Sequence, residues 1–285
     1  MGLFNFLRRT PTVSVLRLYG VIGGGGRFSR GLDDAGLAGL IDRAFKPKRL
    51  SAVALAINSP GGSPAQSALI TQRIRDHAAE RGVPVFAFCE DVAASGGYML
   101  ACAADEIYAE ENSILGSIGV ISASFGFTEA MAKLGVERRL QTAGASKSRL
   151  DPFSPRKPED EAWLEQLQSS IHANFIALVR KARGERLGEE PPEKLFTGEV
   201  FLGRDAVELG LADGLGRLRP TMRERFGDET RFNVVTPKRG FLSRLGVGAA
   251  APMDHGWWDT AAPEGVAERL IDGLEARALW SRYGL

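Results

Sequence analysis

Two nearly continuous apolar runs, Leu50 to Ile57 and Val83 to Cys89, flank a segment, Pro64 to Arg81, in which Leu69, Ile70 and Ile74 recur at helical spacing. Runs with no polar alternation suit strands covered on both faces, and such strands are usually parallel and joined by crossover helices. A similar unit precedes them. Val13 to Ile22 alternates in part between Pro11 and the glycine run Gly23 to Gly26. Leu32 to Phe45 then carries Leu37, Leu40, Ile41 and Phe45 on one helical face. Strand–helix–strand–helix–strand order predicts an α/β fold with parallel pairing and right-handed crossovers.

The second run leads into Asp-Val-Ala-Ala-Ser-Gly-Gly-Tyr-Met-Leu-Ala-Cys-Ala-Ala, residues 91–104. Ser95 would sit at a strand-to-helix corner with Ala93, Gly96 and Gly97 around it. Small neighbours let the backbone turn sharply and present the hydroxyl at a helix start, as in a nucleophile elbow. Amides at that start can stabilise a developing oxyanion. The strict elbow pattern has Gly where this chain has Ala93, and an N-capping serine with two packing glycines remains the alternative reading. A second glycine turn, Asn58-Ser59-Pro60-Gly61-Gly62, follows the first run. Both turns would lie at the C-terminal ends of parallel strands, where α/β proteins usually bind ligands.

Further on, the pattern predicts a strand over Glu106 to Ala109 and a glycine-punctuated apolar segment, Ile114 to Val120. A short helix over Thr128 to Leu134, a strand over Glu137 to Gln141 and a polar loop from Thr142 to Pro155 follow. Pro158 opens the longest helix. Glu159, Asp160 and Glu161 suit its positive end, and Arg180, Lys181 and Arg183 its negative one. Its stripe is Trp163, Leu164, Leu167, Ile171, Phe175, Leu178 and Val179. Leu202 to Leu209 is a short helix stopped by Gly210. Beyond Pro220 the texture changes. A strand is expected over Arg231 to Val235, a loose stretch holds Trp257 and Trp258, and Glu264 to Trp280 is amphipathic.

A formal net charge of +1 over 285 residues gives no field that would draw nucleic acid. The two cysteines, Cys89 and Cys102, fall in core elements and read as buried thiols, not as a disulfide or metal framework. The apolar part of Met1 to Thr10 is too short for a signal peptide or a span; it reads as a frayed terminus or a contact with a membrane surface. No stretch approaches the roughly 18 apolar residues of a membrane helix.

A serine nucleophile needs a base. By position, His77, His172 and His255 each read as surface or packing residues, so a Ser-His-Asp triad lacks a base. A lysine can serve if burial strips its charge. Lys147 stands out mildly, because Asp151 is the first carboxylate near it in its loop; composition alone does not choose among the lysines.

Taken together, the motifs resemble the signal peptide peptidase A family, Ser-Lys serine peptidases on the Clp-protease/crotonase type of α/β superhelix. The likeness runs from about Val13 to Leu218. It rests on Asn58–Gly62, Ala94-Ser95-Gly96-Gly97-Tyr98, Leu115–Val120, Gly144-Ala145-Ser146-Lys147, Phe196-Thr197-Gly198 and Ala206–Asp213. The resemblance implies Ser95 as nucleophile, Lys147 as general base, Ser117 as the hydroxyl that orients the lysine, and the amides of Gly62 and Gly96 as the oxyanion hole. It implies cleavage of apolar peptides such as signal-peptide remnants, no metal or other cofactor, an activity rising with pH, and a homo-oligomer, with the dyad either within one chain or shared between neighbouring subunits. Many relatives carry a membrane anchor ahead of the first strand. Without one here, and with free thiols, the expected place is the cytoplasmic side, peripheral at the inner membrane. The division expected is an arm at 1–12, a peptidase domain at 13–219 and an extension at 220–285. Two alternatives stay open: an acyl-CoA enzyme of the crotonase type, working through carboxylates, and a non-catalytic scaffold of the same fold.

Overall fold

The computed structural model describes residues 10–23, 31–187, 192–237, 274 and 277–284. His255, Trp257, Trp258 and most of the expected 264–280 helix lie outside the described residues. The elements run β1 (Thr12–Tyr19), α1 (Asp34–Phe45), β2 (Leu50–Ser59), α2 (Pro64–Arg81), β3 (Val85–Ala94), α3 (Gly96–Ala101), β4 (Glu106–Ala109) and β5 (Ile114–Gly116). They continue with α4 (Thr128–Leu134), α5 (Pro158–Arg183), α6 (Pro192–Leu195), β6 (Val200–Leu202), α7 (Gly203–Glu208), β7 (Gly214–Leu215), α8 (Leu218–Phe226) and β8 (Arg231–Val234).

The strands form one sheet in the order β6-β5-β3-β2-β1-β8, with β4 and β7 branching from β3. Every pairing is parallel except β5 with β6. The apolar runs are continuous because both faces are covered. Val53, Leu55 and Ile57 of β2 pack with Ile41, Phe45, Ile70 and Ile74 of α1 and α2. The alternate residues Ala52, Ala54 and Ala56 face Phe86, Phe88 and Met222 on the other side. Each large aliphatic side chain buried this way stabilises the fold by about 1.5–3 kcal/mol.

The second face needs residues late in the chain. Met222 of α8 closes it, Phe226 and Phe232 flank it, and β8 pairs with β1. The expected boundary at 219/220 therefore falls inside α8, and residues as far as Val235 are woven into the sheet.

β3 is the element that makes a site. It is longer than its apolar run implies. Phe86 to Cys89 pair with β4, whereas Val92 to Ala94 pair with β5. Between them Glu90 and Asp91 break register with β2, where Ile57 faces Cys89 but Ser59 faces Ala93. The fork carries β3 on to Ala94 and delivers Ser95 at its tip. The strand expected over Glu137 to Gln141 does not form. Those residues are exposed and unpaired by any strand. Leu140 is their single apolar side chain, so they have no face to bury, among the described residues no strand pairs with them, and a strand is not stable alone.

Candidate active site

Ser95 has φ 54° and ψ −121°, a conformation that costs a residue with a Cβ energy and that persists only where the surroundings impose it. Here they do. The Ser95 N–H donates to the Gly116 carbonyl at 2.8 Å, and the Ser95 carbonyl accepts from Tyr98 and Met99. The serine caps nothing: its side chain makes no cap hydrogen bond to α3. Among the described residues its hydroxyl has no partner, which leaves it available for chemistry.

α3 is clamped from two sides. Thr71 of α2 donates its hydroxyl to the Met99 carbonyl at 2.9 Å, and the Tyr98 hydroxyl donates to the Leu211 carbonyl at 2.8 Å. Burial pushes the Tyr98 phenol well above its ordinary range, so it stays a neutral donor.

The two glycine turns meet. A side chain on Gly61 would lie 2.8 Å from the Gly96 nitrogen and 2.8 Å from Ser95 Cβ. Gly62 has φ 144°, and a side chain there would run into the Ile22 carbonyl. Ile22 pins the turn by donating its N–H to Gly61 and accepting from the Ser63 N–H, both at 2.8 Å. Among the described residues the N–H groups of Gly62 and Gly96 have no hydrogen-bond acceptor, so both residues that line the cavity with Ser95 keep a free donor.

Ser95, Gly62 and Gly96 share a cavity of about 380 Å³. Its walls come from α2 (Ala65, Ala68), α3 (Met99), the β5 exit (Gly119, Val120) and α5 (Ile171, Phe175, Leu178). Among the described residues no carboxylate lines this cavity, so the described lining offers none of the acid/base groups that the crotonase-type alternative would use. Among the described residues no cluster of three or more His, Cys, Asp or Glu is arranged to hold a metal ion.

Ser117 follows β5 and lines a second cavity with Thr197, Gly198, Glu199, Arg282 and Tyr283. It too has a positive φ, 51°, and its N–H donates to the Glu199 carbonyl at 2.6 Å. The β3–β5 register sets Gly116 opposite Ala94, so Ser117 and Ser95 leave adjacent strands at the same level.

Lys147 lines neither cavity. It is exposed, within a segment from 121 to 157 that is exposed along most of its length. That segment is nevertheless organised. Phe127 and Phe153 stack, with ring centres 5.4 Å apart, and Arg138 lies over Phe153. Burial acts to raise the Asp151 carboxyl, but the Phe153 N–H, the Ser154 hydroxyl and Arg138 together hold it below the usual carboxylate range. Asp151 is thus occupied, and among the described residues Lys147 has no carboxylate partner.

Two contributors escaped the sequence reading. His172, read as a packing or surface residue, places Nε2 3.0 Å from the Ile118 carbonyl. Arg183, read as a helix-end cation, is buried and donates to the Gly210 carbonyl and to Asp213, each at 2.8 Å. Neither partner lies close in sequence, so spacing carried no signal.

A profile of peptidase family S49 matches residues 77–225, from the end of α2 through α8. The chain belongs to peptidase family S49. Ser95 lies within the matched residues. A Brucella abortus protein named Na(+)/H(+) antiporter NhaA is 49% identical over 280 residues, covering 96% of this chain and 37% of its own length. The chain thus spans little more than a third of that relative. Protease 4 of Haemophilus influenzae is 34% identical over 184 residues, 63% of this chain and 29% of that one. The chloroplastic serine protease SPPA of Arabidopsis thaliana is 34% identical over 172 residues, 60% of this chain and 25% of that one. Among solved structures, a membrane-bound stomatin-specific protease aligns at 14% identity and TM-score 0.47, covering 80% of this chain and 98% of its own. Among the described residues of this S49 chain, no helix is long and apolar enough to cross a membrane.

Proposed function

We propose that this S49 chain is a serine endopeptidase that cleaves apolar peptides, such as the remnants of signal sequences, through a Ser-Lys dyad and an acyl-enzyme. One observation carries the reading: the unpartnered Ser95 hydroxyl is held in a strained corner and lines one largely apolar cavity together with two glycines whose amides are free. In this reading Ser95 attacks the scissile carbonyl, and the Gly62 and Gly96 N–H groups hold the oxyanion, each worth about 10²–10³ in rate. Lys147, as a neutral amine, takes the Ser95 proton and returns it to the leaving amine. Water then hydrolyses the ester. The Ser117 hydroxyl accepts a hydrogen bond from the lysine amine and aims it. An apolar side chain of the substrate enters the cavity between Ala68, Met99 and Phe175.

Lys147 comes from a neighbouring copy of the chain. Its exposure, its absence from the Ser95 cavity and the uncovered apolar residues around it support a homo-oligomer whose sites form between subunits. Signal-sequence remnants are bilayer-borne, so work at the membrane surface, on the cytoplasmic side, fits this substrate.

Subunit complementation tests the reading. Ser95→Ala and Lys147→Ala should each lower peptide hydrolysis on the order of 10⁴-fold or more, since members of one catalytic unit fail together. Chains of the two variants, mixed and reassembled, should recover about a quarter of wild-type activity if each site takes one residue from each neighbour. Full activity in either variant alone would sink the dyad. Two inactive variants with no recovery on mixing would place both residues in one chain.

A further inference from the structure

Ser117 to Gly119 is a strained segment held from several sides. Ser117 sits at φ 51°, a region that disfavours any residue with a Cβ. Its N–H is fixed on the Glu199 carbonyl, and a side chain on Gly119 would press on Gly198 at 3.0 Å. The peptide between Ile118 and Gly119 is gripped at both ends. Its N–H donates to the Ser117 carbonyl at 2.9 Å, and its carbonyl meets His172 Nε2 at 3.0 Å. A carbonyl only accepts, so Nε2 carries the hydrogen. That bond is the contact by which α5 grips this carbonyl. The same helix turns Ile171, Phe175 and Leu178 into the Ser95 cavity, which Gly119 and Val120 also line.

We propose that His172 is a positioning residue: by donating Nε2–H to the Ile118 carbonyl, it holds Ser117 in its left-handed conformation and so aims the Ser117 hydroxyl. The inference rests on the roles given to Ser95 and Ser117 above. It assigns His172 no proton transfer. Both the neutral Nε2–H tautomer and the imidazolium donate from this atom, so the contact serves in either charge state. Without the donor, the carbonyl is free to rotate and Ser117 relaxes toward an ordinary backbone region.

The test compares His172→Phe, which fills the space without a donor, with His172→Gln, whose amide nitrogen can stand where Nε2 stands. In the full-length oligomer, His172→Phe should lower kcat by about five- to tenfold, the size expected for one lost hydrogen bond, with KM nearly unchanged. His172→Gln should recover most of the loss. The pH–rate profile of His172→Phe should keep its wild-type shape from about pH 6 to 9, a window that spans ordinary histidine titration. His172→Phe added to Ser117→Ala should cost nothing further, because both act through one hydroxyl. Wild-type kcat in His172→Phe, a lost limb in its pH profile, no rescue by Gln, or a full multiplicative loss in the double variant would each overturn the proposal. Fluorophosphonate labelling separates this from failure of the underlying reading. Label on Ser95 with an unaffected His172→Phe variant removes only His172. A wild-type protein that neither hydrolyses peptide nor labels at Ser95 removes both.

Discussion

The β3–α3 corner and the segment from 121 to 157 make an instructive pair. Around Ser95 nearly everything is buried. Ala93, Ala94, Gly96, Gly97, Tyr98 and Leu100 are out of solvent, and glycines stand where no side chain fits. Around Lys147 the reverse holds. Ile121 is 65% exposed, Phe125 81% and Leu134 78%, and Leu140, Leu150 and Phe153 are also uncovered. One half of the proposed dyad is built to be rigid within the chain. The other rides on apolar surface that one chain does not cover, and contiguous patches of that kind mark contact sites. The difference teaches that the two halves depend on different things: the first on folding, the second on assembly.

The largest expected effect breaks the rigid half. In Gly96→Ala the new methyl would enter the space of the Ser67 hydroxyl, which is itself bonded to the Ser63 carbonyl at 2.8 Å. Overpacking of this kind costs about 1–3 kcal/mol. Displacing the Gly96 donor should also lower kcat by on the order of 10²-fold. Steady-state kinetics and thermal melts on one preparation check both, and light scattering should show the same number of chains per assembly as in the wild type.

The exposed half predicts the opposite split. Phe125→Ser combined with Leu134→Ser should shift the mass in solution toward the single chain and lower activity in proportion, as read by light scattering and hydrolysis together. An unchanged mass would break the comparison, because the segment would then need no partner.

The smallest effect belongs to folding alone. The hydrogen bond from Arg73 holds the Asp34 carboxyl below its ordinary range, with burial opposing. A carboxyl whose folded pKa is depressed stabilises fully above its unfolded value, near about 3.9, and that contribution disappears as pH falls through the lower folded value. The gap in melting temperature between wild type and Asp34→Asn should thus be small but measurable at neutral pH. It should close on acidification below about pH 4. Melts in low-salt buffers across that range check it, and activity per folded chain should not change.

Much of this was legible in the sequence because it is local. Apolar runs gave β2 and the first part of β3, and the helical stripe gave α2, Pro64–Arg81, to the residue. Small residues around Ser95 announced a corner, and the glycine turns at 61–62 and 96–97 proved to touch. What stayed hidden depends on distance along the chain. The fork in β3 needs β4 and β5 to exist before Glu90 and Asp91 can be read as a break in register. Residues beyond Pro220 looked like an appendage, because nothing local says that Met222 closes the second face of β2. The N-terminal half of the α5 stripe was read with the core half, yet Trp163 and Leu167 are exposed whereas Phe175 and Val179 are buried. Periodicity reports that a face is apolar; it does not report what covers it.

Arg183 has a consequence for the cavity wall. A guanidinium shut away from water is tolerable only while Asp213 and the Gly210 carbonyl hold it. A slide of α5 by a single residue, about 1.5 Å, would strand that charge. The helix is keyed like a bolt in its socket, and its rotational phase is locked. The choice of which side chains look onto Ser95 is therefore made two turns away, at an ion pair that never meets the substrate.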